Sequence, residues 1–139
     1  MQKIYNSGMH TQRVLPKHIF RASGSAKTIC VSSVLFALGI KPNQYHSTST
    51  PKNTNNYESI IRRFGYALRS RKSQIKPDST VGSIRAKIKN FNDPENTVYL
   101  IRLKDHVLLL NKNGDTIIDT DRRLRDKRRI VKIHAVWQK

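Results

Sequence analysis

Two features of the sequence predict an α+β fold, with N-terminal helices packed on a C-terminal antiparallel sheet. Apolar residues recur at helical spacing in the earlier part of the chain, whereas β-branched and apolar runs dominate its last part. An Asn113-Gly114 pair between two of those runs marks a hairpin. A chain of 139 residues is the size of one domain. Residues 1–24 read as an extended arm, punctuated by Gly8, Pro16 and Gly24, and residues 25–139 as a single α+β domain.

The elements follow in order. Ser25 suits a helix N-cap, Ala26 to Leu38 the helix, and Gly39 the residue that ends it. Ile29, Val34, Leu35, Phe36 and Leu38 are apolar on more than one side, so this helix is expected to be buried. Lys41 to Asn56, with Pro42, Pro51 and many Ser, Thr and Asn residues, is a surface loop. Asn55 and Glu58 have capping-box spacing ahead of a second helix with Ile60, Ile61 and Phe64 on its apolar face, and Gly65 ends it. Tyr66 to Arg71 reads as a strand with Tyr66, Leu68 and Ser70 on one face and Ala67, Arg69 and Arg71 on the other. Pro77-Asp78-Ser79 leads into a third helix whose Val81, Ile84 and Ile88 share a face. Four strands follow: Val98 to Leu103, His106 to Leu110, Thr116 to Asp119 and Ile130 to Trp137.

Composition narrows the function. With 27 Lys and Arg against 9 Asp and Glu, the formal charge is +18. Such a surface attracts polyanions, nucleic acid first among them, and its self-repulsion favours a monomer when free. Arg122, Arg123, Arg125, Lys127, Arg128, Arg129 and Lys132 form one cluster. Arg62, Arg63, Arg69, Arg71, Lys72 and Lys76 form a second, and Arg85, Lys87 and Lys89 a third. Aromatic residues are sparse among them, which fits backbone contacts rather than base stacking. No helix-turn-helix, zinc-finger or RNA-recognition pattern is present. No run reaches the ~18 apolar residues of a membrane span, and the N-terminus lacks the apolar core of a secretory signal. A single cysteine, Cys30, excludes an internal disulfide and a zinc site built from several thiolates. His10, His18, His46 and His134 show no metal-ligand spacing, and no metal or cofactor is expected.

Chemistry falls on two lone residues. Cys30 lies in the first helix, where a start near Thr28 would put it in the activating first turn and a cap at Ser25 would put it in the second. His106 opens a strand, with Asp119 and Asp121 following it in sequence. A two-residue Asn113-Gly114 turn would pair Leu108 with Asp119 and His106 with Asp121, so that His106, Leu108, Ile117, Asp119 and Asp121 share a face. Asp119 would then lie diagonal to His106, about 7–8 Å between backbone positions and within side-chain reach. A one-residue slip would turn it away.

The order Cys, His, Asp, with the cysteine on an early helix and the histidine in a late antiparallel sheet, resembles the papain-like cysteine peptidase superfamily, and most closely its small bacterial and phage branches. The resembling segments are Ala26 to Ser33, Asp105 to Leu110 and Ile117 to Thr120, about a quarter of the chain. The resemblance implies a papain-like fold, Cys30 as nucleophile, His106 as general base and acid, and Asp119 as the orienting carboxylate, acting on a peptide or protein. The family's glutamine ahead of the cysteine has no counterpart in Gly24 to Ile29, and Gln12 is the nearest upstream candidate. It also suggests a phage or mobile-element product, working in the host cytoplasm or the virion. A non-catalytic protein gripping DNA or RNA backbone through the basic clusters, with a papain-like fold reused for binding, is the alternative. A viral effector docking an acidic host protein is a third reading.

Overall fold

The computed structural model describes residues 26–41, 57–104, 106–121 and 126–139, with the side chains of 26–29 left aside. The expected arm, the caps at Ser25 and Asn55, Gln12, the loop over 42–56, Asp105, and Arg122, Arg123 and Arg125 all lie outside these residues.

The first helix, α1 (Ala26–Ala37), stops where the sequence stops it. Gly39 takes φ 84°, its N–H donates to the Phe36 carbonyl at 2.9 Å and the Ile40 N–H to Leu35 at 2.9 Å. That pair of bonds is the Schellman closure, which a left-handed residue makes possible. Helix α2 (Tyr57–Arg63) also stops at a left-handed glycine, Gly65 with φ 92°, whose N–H donates to the Arg62 carbonyl at 3.1 Å. Strand β1 (Tyr66–Ser70) follows directly. Helix α3 (Val81–Ile88) begins at Thr80, whose hydroxyl accepts from the Ser83 N–H while the Ser83 hydroxyl accepts from the Thr80 N–H. Strands β2 (Val98–Leu103), β3 (His106–Leu110), β4 (Thr116–Ile118) and β5 (Lys132–Gln138) complete the elements.

The mixed α+β layout is therefore present, with all five strands in one antiparallel sheet of order β1-β5-β2-β3-β4. Two points differ from the expected layout. The strand between the helices, β1, forms an edge of the sheet beside β5, so the sheet is not wholly C-terminal. The helices also cover both faces. Cys30, Val31, Val34, Leu35 and Leu38 of α1 and its end, with Ile60 and Ile61 of α2, pack on Val98, Leu100, Val107, Leu109 and Val136. Val81, Ile84 and Ile88 of α3 pack on Tyr99, Ile101, Leu108, Leu110, Ile133 and Ala135. Consecutive residues of β2 and β3 are thus buried whichever way they point, which is why those runs lack alternation.

The β3–β4 hairpin corrects the expected turn. The Asn111 N–H donates to Asp115 at 2.8 Å and the Gly114 N–H to Asn111 at 3.0 Å. The loop therefore holds three residues, Lys112, Asn113 and Gly114, the last at φ 86°. The extra residue shifts the pairing to Leu110 opposite Thr116, and a bulge then restores it, with Leu109 opposite Ile118. Ile117 is the unpaired residue and joins the α1 side of the sheet, not the face of Leu108. Continued past Ile118, the restored register faces Asp119 towards Leu108, as the two-residue turn would have done. The carboxylate's place is the same, but the route to it is not.

Candidate active site

Cys30 is the fifth residue of α1, in its second turn, so the helix dipole contributes little to its chemistry. What does contribute is His106. The imidazole Nε2 lies 2.7 Å from Asp119 Oδ1, and the ring also forms a side-chain hydrogen bond with Cys30. With Nε2 engaged by the carboxylate, Nδ1 is the nitrogen left for the sulfur. Cys30 of α1 thus meets the His106–Asp119 pair of the β3–β4 hairpin at the start of β3.

Asp119 is clamped from three directions. Its side chain is fully buried, which by itself would favour the neutral acid. Against that, His106 and the Asp121 N–H (3.0 Å) bond Oδ1, and Arg128 Nη2 donates to Oδ2 at 2.9 Å. These partners outweigh burial and hold the carboxyl below its ordinary value. Burial likewise pulls His106 down, but its hydrogen bonds to Asp119 and Cys30 prevail and push the imidazole up to about 9.

A stability profile follows from both groups. The raised His106 value means its contribution is complete below an ordinary 6.5 and is lost as pH rises through about 9. The lowered Asp119 value means its contribution is complete above 3.8 and is lost as pH falls below that. Denaturation midpoints measured across pH should form a plateau that declines on both sides. His106→Gln should remove the alkaline decline, and an unchanged alkaline limb in that variant would contradict the assignment.

The predicted basic residues fare differently. Arg128, expected on a gripping surface, braces the site, with its other nitrogen 3.5 Å from Asp121 Oδ2 and its side chain 14% exposed. Arg71 stacks over Phe91 and pairs with Asp93, which also receives Arg69 and the Tyr99 hydroxyl. Arg69 lies over the Trp137 ring. Arg62 faces Glu58 at 4.0 Å and Arg63 lies near the Phe64 ring. Arg85 is a tie between elements, donating to the Gly114 carbonyl, the Thr116 hydroxyl and Asp126. Lys72, Lys76, Lys87, Lys89, Lys127 and Arg129 are exposed and form no ion pair among the described residues. His134, on β5 opposite Leu100 and Ser70, is buried, and its Nε2 lies 3.8 Å from Glu58.

A cleft of about 290 Å³ borders the imidazole, lined by Leu103, Lys104, His106, Asp121, Arg128 and Arg129. The Cys30 residue itself is 1% exposed, so a reagent gains the sulfur only as its cover moves. Two polar groups nearby were not legible as site residues. The Tyr57 hydroxyl and the Arg102 Nε are buried with no hydrogen-bond partner among the described residues, a state that costs about 1–3 kcal/mol per group. Among the described residues no group of three or more His, Cys, Asp and Glu converges to hold a metal ion, and no helix is long and apolar enough to cross a membrane.

No family model matches the sequence, and neither a curated protein nor a solved structure is significantly similar to it.

Proposed function

We propose that the protein is a small papain-like cysteine hydrolase, of the peptidase type, with a strongly basic surface. The observation that carries this reading is the imidazole of His106, bonded at once to the Cys30 sulfur and to a buried, fully partnered Asp119. In the reaction the thiol proton passes to His106, which its surroundings favour as an imidazolium, and the sulfur left as thiolate attacks an acyl carbon. The leaving group departs with that proton, and water, deprotonated by the same ring, releases the acyl group from sulfur. Asp119 holds the ring's orientation and supports its charge, and Arg128 holds Asp119.

The test begins with the thiol. Iodoacetamide should label Cys30 in the folded chain, and His106→Ala should slow that labelling about a hundredfold. Cys30→Ser should abolish hydrolysis of p-nitrophenyl acetate and of peptides while leaving thermal unfolding within a few degrees of the parent. A thiol that reacts only on unfolding, equally in parent and His106→Ala, would remove the enzyme.

A second reading rests on exposed cations that form no ion pair among the described residues, Lys72, Lys76, Lys87, Lys89, Lys127 and Arg129 among them. They suit contact with nucleic-acid backbone, either beside catalysis or in its place. If four or more meet phosphates, binding of a DNA duplex should weaken with salt at a log–log slope of about −4 or steeper. A flat slope would dispose of the contact, and Cys30→Ser should leave the slope untouched.

A further inference from the structure

Addition of sulfur to a carbonyl drives an electron pair onto the carbonyl oxygen, and the barrier falls when a fixed donor waits where that charge appears. His106 is already committed on both sides, to Asp119 and to the thiol. Tyr57 is not committed. It is 1% exposed, lies in the same apolar cluster as Cys30, and carries a hydroxyl with no partner among the described residues. Helices α1 and α2 contact one another, which brings residues 30 and 57 to one side of the sheet. Arg102 belongs there too: it alternates with Val98 and Leu100, which pack beneath α1, and pairs across the sheet with Val107, the neighbour of His106. The phenol lies within electrostatic range of both the Arg102 guanidinium and the Cys30 sulfur. A phenylalanine would fill the space without stranding an oxygen, so packing alone does not account for a tyrosine here.

We propose that the Tyr57 hydroxyl, backed by the positive charge of Arg102, donates the hydrogen bond that stabilises the oxyanion formed when Cys30 adds to a carbonyl; this rests on the hydrolase reading above. In the addition the sulfur–carbon bond forms, the thiol proton passes to His106, and the π pair of the carbonyl settles on oxygen, which accepts from the Tyr57 O–H. On collapse that pair re-forms the carbonyl, the bond to the leaving group breaks, and the leaving group takes the proton from His106. Tyr57 keeps its own proton throughout, because burial first and the Glu58 carboxylate second push the phenol far above its ordinary value, with Arg102 offsetting them only in part.

Two reagents separate this role from a structural one. Iodoacetamide alkylates sulfur at a saturated carbon and creates no oxyanion, whereas p-nitrophenyl acetate acylates it through one. In the full chain, Tyr57→Phe should slow acylation of Cys30 about 100-fold while alkylation stays as in the parent and the unfolding temperature rises, since the stranded oxygen is gone. Arg102→Gln should slow acylation by a smaller factor with the same selectivity, and it carries the comparison if Tyr57→Phe does not fold. Acylation unchanged in both variants, or acylation and alkylation falling together, would overturn the assignment while leaving the hydrolase intact. A parent thiol inert to both reagents would take the hydrolase with it.

Discussion

Asp119→Ala is expected to drop the His106 imidazole from about 9 to its ordinary 6.5 or below, since burial then acts on the ring with only Cys30 opposing it. The same change strips Arg128 of a carboxylate 2.9 Å away in the parent and leaves a side chain of which only 14% is exposed beside the more distant Asp121. Removing one partner of a buried pair costs about 3–5 kcal/mol, and the midpoint should fall by about 10–20 °C at the ~3–4 °C per kcal/mol of a domain this size. Hydrolysis should fall by about 10⁴. Asp119→Asn, which keeps the shape and one acceptor oxygen, should lose most of the activity but much less stability. Ring-proton titration by NMR is the deciding measurement: a His106 value still near 9 in Asp119→Ala would show that the carboxylate is not what raises it.

Gly114→Ala carries the second large effect, far from the thiol. A Cβ at this position would stand 2.5 Å from the Arg85 carbonyl oxygen and 3.1 Å from its carbon, both backbone atoms that cannot swing aside. The residue also holds φ +86°, which an L side chain resists by about 1–2 kcal/mol before any contact is counted. Together these should cost about 2–4 kcal/mol, read as a lower urea midpoint. Gly65→Ala is the internal reference, because φ is +92° there but nothing lies within 4 Å, and about 1 kcal/mol is expected. Equal losses in the two variants would mean that the approach to Arg85 does not constrain the loop. Because this loop and the bulge after it together bring Asp119 beneath His106, Gly114→Ala should also slow Cys30 labelling.

Much of the fold was legible locally. Gly39 and Gly65 end their helices because a residue free to take positive φ closes those turns, and β2 ends and β3 begins where Lys104-Asp105 interrupts the apolar runs. The meeting of His106 with Asp119 was legible as a register argument, although the turn beneath it was not. Asn111 accepts from both the Asn113 and Asp115 N–H groups and so favours the longer loop over the two-residue turn that Asn-Gly suggests. Arg128 could not be told from its neighbours, because a run of arginines carries no mark of which one will find a carboxylate. Tyr57 and Arg102 lacked any signal, since an unpartnered polar atom is a property of surroundings, not of spacing.

From the order of residues alone came the helices, the strands, their antiparallel sense and the identity of a cysteine, a histidine and an aspartate worth following. Such features depend on neighbours a few positions away, through backbone torsion, side-chain period and turn chemistry. The third dimension alone determined which sheet face each helix covers, which arginine braces the carboxylate, and which buried hydroxyl is left without a partner among the described residues. Those outcomes depend on distances between segments dozens of residues apart, set when the whole apolar surface is buried at once.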